Sequence, residues 1–197
     1  MGRYSASLTK GSLKVSESRI VAGLLLDGVE GAAWRKAILE DNVLQKRSPS
    51  SASTTAEMIA RRLQTMSEPL WLLVRDGSPT VATQASLAAA IKHNPLIGDF
   101  LDIAVREQLR QFKSQLSPVV WSQFVQDYLM PDPVASTWTP AVLDKLRQNL
   151  MRILAEAGYI SDTKTLRIER VTLTPELCRY LDEHGEEYVL RCLWVAA

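Results

Sequence analysis

The 197-residue sequence predicts a mainly α-helical, multi-helix globular bundle, and three observations carry that expectation. Proline follows a residue suited to a helix start at Glu68-Pro69, Ser78-Pro79, Ser117-Pro118, Thr139-Pro140 and Thr174-Pro175. Proline at the first helical position gives up no hydrogen bond, and a hydroxyl just ahead of it caps the free N–H groups. Apolar residues recur at helical spacing through most of the chain, and only the run 166–173 has a β-like composition. Hydrophobic residues at 46% and charged residues at 23% fit a folded globular protein and exclude general disorder. The length allows one ordinary domain or two small ones sharing a core.

Residues 1–66 read as a basic arm followed by a helix-turn-helix-like region. Arg3, Lys10 and Lys14 precede the first acid, Glu17, and such an arm reaches into a minor groove. The plain alternative is a disordered end carrying incidental cations. Ser16 is placed to cap a first helix, whose stripe is Ile20, Val21, Leu24 and Leu25 and whose stop is Asp27-Gly28. Trp34, Ala37, Ile38 and Leu44 mark a second helix running to Glu40-Asp41-Asn42. The basic loop Lys46-Arg47-Ser48-Pro49-Ser50-Ser51 comes next. In the third segment Thr54 and Glu57 have capping-box spacing, and Ala56, Ile59, Ala60 and Leu63 form the buried stripe. Thr55, Arg61, Arg62 and Thr65 fall on its other faces. Hydroxyls at a helix start beside a Lys-Arg pair bring backbone N–H groups and cations to a phosphate together. The alternative is an ordinary helical hairpin plus one helix, with a solvated Ser-rich loop.

Residues 67–136 read as a helical core, with helices expected over Leu70–Asp76, Pro79–His93, Leu96–Phe112 and Pro118–Met130. The stripes Ile97, Phe100, Leu101, Ala104, Val105 and Trp121, Phe124, Val125, Leu129 ask for packing, not for a cofactor. Asp99 and Asp102 share a helix face, where paired carboxylates can do acid–base work, but no His, Cys or third acid is arranged with them, so they read as a solvated face.

The loop from Met130-Pro131-Asp132-Pro133 to Trp138 is the internal boundary, and 137–197 reads as a winged-helix-like region. A helix over Pro140–Ala157 buries Val142, Leu146, Leu150, Ile153, Leu154 and Ala157 and stacks Lys145, Gln148 and Arg152 on another face. Gly158 ends it. Tyr159-Ile160, a polar turn 161–165 and the β-like run 166–173 follow, in the order of a recognition helix and its wing, with Lys164, Arg167 and Arg170 on the wing. A helix followed by a structural hairpin is the alternative reading. The tail is acidic and then apolar, its last segment a helix or a strand. Cys178 and Cys192 read as buried free thiols.

The net charge of +1 is unevenly spread. Residues 1–66 carry 10 Lys or Arg against 6 Asp or Glu, and 139–173 carry 6 against 4; residues 67–136 carry 5 against 7, and 174–197 carry 2 against 5. Segregated positive charge suits a polyanion, because counterion release drives binding. His93 and His184 sit in no zinc, triad or relay arrangement, and the nine glycines form no nucleotide loop, so neither an enzyme nor a cofactor is expected. No apolar run near the start approaches the roughly 20 residues of a membrane span, and no secretory pattern precedes it. A cytoplasmic protein with reduced thiols is expected.

The blocks Tyr4-Ser-Ala-Ser-Leu-Thr-Lys10-Gly11, Glu17-Ser-Arg19-Ile20-Val21-Ala22, Trp34-Arg-Lys-Ala-Ile38 and Asn42-Val-Leu-Gln-Lys46-Arg47-Ser48-Pro49 resemble the BrxA family of bacterial BREX phage-exclusion systems. The resemblance continues more loosely through Gly158-Tyr-Ile and Thr174-Pro175. It implies a small, mainly helical, non-enzymatic component of a multi-protein antiviral system, with a NusB-like shape and double-stranded DNA and other BREX proteins as partners. Neither a membrane nor a small-molecule substrate is implied by the residues. Charge and helix geometry together give the expected DNA contacts: Arg3, Lys10, Lys14, Lys46, Arg47, Ser48, Ser50, Ser51, Thr55, Arg61, Arg62, Lys145, Arg152, Lys164, Arg167 and Arg170. An adaptor joining defence proteins, or an RNA-binding module in the manner of NusB, are the competing functions.

Overall fold

Proline opens seven of the helices, because its missing N–H would have had no partner there. The computed structural model describes residues 2–195, with the side chains of Thr9 and Lys10 outside the description. A 3-10 turn Ala6–Lys10 precedes α1 (Val15–Leu26), and α2 (Gly31–Arg35) runs on into a π turn Lys36–Glu40. Then come α3 (Pro49–Leu63), α4 (Glu68–Asp76), α5 (Pro79–His93), α6 (Pro95–Asp99) with a π turn Phe100–Val105, and α7 (Arg106–Arg110). α8 (Pro118–Phe124) also ends in a π turn, Val125–Leu129, before α9 (Pro140–Glu156), α10 (Pro175–Glu183) and α11 (Glu187–Leu193). The fold is mainly α, as expected.

Helix α5 is the central pillar. Ala82, Ala85, Leu87, Ala88, Ala89, Ala90 and Ile91 are all 0% exposed, so this helix is apolar all round and other helices surround it. Its alanines permit close approach, and α1, α3, α4, α6, α10 and α11 all pack on it. Gly98 is required for the same reason: a Cβ there would lie 2.7 Å from Tyr188 Oη and 3.0 Å from Cys192 Sγ of α11. Phe100, Trp121, Phe124 and Tyr128 form a second cluster, with the Phe100 and Phe124 rings edge to face at 5.2 Å.

Two helix starts differ from expectation. Helix α1 begins at Val15 behind Lys14, whose φ of 55° is left-handed, and Ser16 lies inside it. Helix α3 begins at Pro49 with Ser48 as its cap, Oγ accepting from the Ser51 N–H at 3.2 Å. Thr54 and Glu57 are therefore mid-helix, and it is Ser53 that donates to Glu57, at 2.7 Å. The 166–173 run forms single antiparallel bridges, Ile160 with Ile168 and Gln115 with Arg167, and no ladder among the described residues. Buried Gln84 of α5 pins its end, donating to Thr172 O and accepting from the Thr174 N–H, both at 2.9 Å. Cys192 is buried, as expected, but Cys178 is only half-buried.

Asp99 departs furthest from its solvated reading. It is 6% exposed, and its carboxylate accepts from Arg3 Nε (2.6 Å) and Nη2 (2.7 Å), Tyr4 Oη (2.9 Å) and Tyr188 Oη (2.8 Å). Asp102 likewise is paired, with Arg106 and Arg191.

Candidate nucleic-acid interface

Most cations of the first 66 residues are engaged inside the protein. Lys46 Nζ lies 2.5 Å from Glu17 Oε1, with Lys14 Nζ at 3.7 Å from the same oxygen. Burial alone would raise the Glu17 carboxyl, but the Lys46 hydrogen bond, a backbone N–H and the charges of Lys46 and Lys14 together hold it below the usual carboxylate range. Arg3, expected on a flexible arm, is fixed to Asp99, and its guanidinium lies 5.4 Å from the centre of the Tyr188 ring. Tyr4, Leu8 and Leu13 are core residues, so the segment is a packed strap and not an arm. Lys10 has its side chain outside the described residues. Thr55 and Arg62, expected to face DNA, are 7% and 6% exposed, because the third helix begins five residues earlier than its apparent capping box and carries more buried positions than its stripe indicates. Both are withdrawn from a duplex-facing surface. Arg61 is exposed, 3.9 Å from Glu57.

What remains open in this region is Arg35 of α2, exposed and with no acidic partner among the described residues, and the start of α3. Ser48, Ser50, Ser51 and Arg47 are exposed, and Arg47 has no acidic partner among the described residues. The first turn of a 15-residue helix thus presents N–H groups beside one cation.

The C-terminal block is different. Lys145 and Arg152 stand exposed on the outer face of α9, and Lys164 and Arg170 are exposed beyond it; none has an acidic partner among the described residues. Arg167 is 2.8 Å from Glu169, a pair in water on both sides, and Arg147 is 2.9 Å from Asp144. Asp162 closes the turn that carries Lys164, accepting from the N–H groups of Lys164 (2.7 Å) and Thr165 (2.8 Å) and from Thr165 Oγ1 (2.7 Å). Those hydrogen bonds, the Thr165 backbone first, bring its carboxyl down to about 2. The turn is therefore fixed, with Gly158 at a φ of 81° before it.

Sequence reasoning missed the segment beside that turn. The Gln115–Arg167 bridge, with the Ile168 N–H donating to Ser114 O at 2.9 Å, seats residues 114–116 against the basic run. Arg110, Phe112 and Lys113 lie just ahead of it and are all exposed, Phe112 at 93%. An aromatic residue between two cations was the available signal.

Over residues 2–185 the chain matches the family model BrxA. It is 47% identical to the BREX protein BrxA of Paramagnetospirillum magneticum (strain ATCC 700264 / AMB-1), covering 98% of both chains. The chain belongs to the BrxA family. A second BrxA, from Escherichia coli O9:H4 (strain HS), is 33% identical over 96% of this chain and 89% of the relative, and that of Bacillus cereus (strain H3081.97) is 22% identical over 93% and 92%. The crystal structure of an uncharacterized protein from Magnetospirillum magneticum superposes with a TM-score of 0.89 at 47% identity, covering 98% of this chain and 99% of that one. Family membership makes the chain a BREX phage-defence component, and none of these BrxA names is an enzymatic one. Among the described residues no helix is long and apolar enough to cross a membrane, and no three His, Cys, Asp or Glu are grouped to hold a metal.

Proposed function

We propose that this BrxA-family chain is a non-enzymatic duplex-DNA-binding component of its BREX system, gripping the phosphate backbone in the cytoplasm through its C-terminal face. One contrast carries the reading. Most of the described N-terminal cations are neutralised or buried within the fold, Arg35 and Arg47 excepted, whereas all four of Lys145, Arg152, Lys164 and Arg170 face water with no carboxylate partner among the described residues. A cation already paired in cis releases little counterion on meeting DNA, so the free ones supply the binding energy. Arg167, only loosely held by half-buried Glu169, joins them, and Arg47 with Ser48, Ser50 and Ser51 at the start of α3 adds a second phosphate contact. The order of α9, the Gly158 turn and the Asp162-closed loop supports a winged-helix-like mode, with α9 toward the groove and the loop along the backbone.

The test is duplex binding measured across salt concentrations. Replacing Lys145, Arg152, Lys164 and Arg170 by Ala should weaken binding to all sequences and lower the slope of log K against log salt by roughly 0.9 for each phosphate that is no longer neutralised. Lys46→Ala should leave the slope almost unchanged. A fourfold variant that binds like the parent at every salt concentration would remove the C-terminal face from consideration. An RNA competitor that displaces duplex more effectively than duplex itself would move the ligand to RNA, in the NusB manner. A second reading, an adaptor for other BREX proteins, draws on exposed Phe112 and Val119, at 93% and 67%. Absence of duplex binding at low salt, with co-purification of a BREX partner abolished in a Phe112→Ala variant, would favour it.

A further inference from the structure

Arg62 poses a problem that the DNA-binding face does not solve. It is 6% exposed, and its hydrogen bond, from Nη1 to the Ser12 carbonyl at 2.9 Å, goes to a neutral group. Among the described residues it forms no ion pair. A guanidinium removed from water without a counter-charge costs several kcal/mol, and buried charges are ordinarily paired. Burial draws its pKa down to about 10, against the opposing field of Glu156.

Next to Arg62 is a cleft of about 200 Å³ between the Ala6–Lys10 turn, α3 and the end of α5, lined also by Ser7, Thr54, Arg61 and His93. Two arginines, a histidine and two hydroxyl residues thus line one space, with Leu8 and Met58 as its apolar wall. Glu57 also lines it, but from an exposed position, where it accepts from Ser53 and stands 3.9 Å from Arg61. Asn94, on the wall, directs its amide donor to Ser7 Oγ at 3.1 Å and is already satisfied. The cleft is smaller than the roughly 300–1,000 Å³ that holds a drug-sized molecule and several times the ~30 Å³ of one water. That size admits a tetrahedral oxyanion with part of a small carrier.

We propose that this cleft binds a small phosphate-class anion, either inorganic phosphate or the phosphate group of a nucleotide. Arg62 is the buried counter-charge, Arg61 and His93 flank the anion, and the Ser7 and Thr54 hydroxyls donate to its remaining oxygens. Fork-shaped guanidinium donors match phosphate oxygens in pairs. The site shares no residue with the C-terminal face, so either can fail without the other.

Thermal melts and calorimetric titrations at fixed ionic strength test it, with inorganic phosphate, a nucleoside 5′-monophosphate and the uncharged nucleoside as probes. Phosphate and the nucleotide should each raise Tm above an equal ionic strength of chloride, and the nucleoside should not. A nucleotide binding about tenfold tighter than phosphate, or more, identifies the carrier as part of the ligand; equal affinities identify the free anion. The double variant Arg61→Gln, His93→Gln should weaken phosphate about tenfold or more while melting cooperatively, and Arg62→Met should abolish the phosphate-dependent shift in Tm. A purely structural Arg62 would change Tm in Arg62→Met yet leave that shift intact. No rise over chloride, an unchanged shift in Arg62→Met, or unchanged phosphate affinity in the double variant would each overturn the proposal. The double variant decides the matter if Arg62→Met does not fold.

Discussion

Asp99 shows what single residues hide from a reader of sequence. Its helix face looks amphipathic, and nothing near position 99 announces a partner, because the partners are Arg3 and Tyr4 at one end of the chain and Tyr188 at the other. Asp99→Ala would leave the Tyr4 hydroxyl without its acceptor and Tyr188 with only the long contact to Pro95 O at 3.3 Å, whereas half-exposed Arg3 would regain water. The loss should be about 3 kcal/mol, which for a chain of this size lowers Tm by about 6 to 12 °C. Glu17 offers a pH test with a definite sign. Its carboxyl is held below its ordinary value of 4.5, so its pairing with Lys46 stabilises the fold above that value and the contribution is lost as pH falls through the lower folded-state value. Lys46→Met should therefore be less stable than the parent at neutral pH, the gap narrowing as the solution is acidified below pH 4.5. A gap that stays constant from pH 7 to pH 3 would show that Lys46 acts through packing alone.

At the scale of elements, the sequence was legible where local chemistry decides. Pro79–His93 has the bounds its Ser-Pro start and Asn-Pro stop specify, and α4, α8, α9 and α10 begin at or beside their prolines. It was illegible where tertiary packing overrides the period. In the π turns the Asp41 N–H donates to Lys36 O and the Met130 N–H to Val125 O, a five-residue step that no 3.6-residue pattern contains. The start of α3 was masked by a chance capping-box spacing inside the helix, and the burial of Thr55 and Arg62 was hidden with it. Helix α7 ends in a Schellman arrangement, with the Lys113 N–H donating to Gln108 O and the Phe112 N–H to Leu109 O. The left-handed position of that motif, usually glycine, is held by Phe112 at a φ of 55°. A phenylalanine there costs about 1 kcal/mol and, being 93% exposed, gains no packing in return. Phe112→Gly should thus raise Tm by about 2 to 4 °C. If Phe112 also contacts DNA or a BREX partner, the more stable variant should bind that ligand less well. A lower Tm in Phe112→Gly would mean that the ring packs in solution.

For the whole molecule, the sequence suggested three regions, open to packing as one unit, with a basic arm at the front; one apolar cluster runs from Tyr4 to Val195, and the front of the chain is part of it. The first fourteen residues explain the difference. Beyond the Arg3–Asp99 contact, Leu13 donates its N–H to Glu156 at 2.6 Å, Leu8 O accepts from buried Asn149 at 2.9 Å, and Ser12 O accepts from Arg62. These partners are spread over three helices, so the strap ties α3, α6 and α9 together, and none of these pairings is visible at short range in the sequence. Deleting residues 1–14 discriminates between strap and arm. An arm would be removed with the fold intact and only the salt-dependent part of DNA binding reduced. A strap takes with it Tyr4, Leu8 and Leu13, at roughly 1.5–3 kcal/mol of burial each, and exposes apolar surface on their partners. It also leaves Asp99 and Arg62 with unmet polar groups at about 1–3 kcal/mol apiece. Together these approach the ~5–15 kcal/mol by which a domain is stable at all. The truncated chain should therefore lose its cooperative melt and near-ultraviolet circular dichroism, whatever its affinity for DNA; a truncated chain that melts as sharply as the parent would restore the arm.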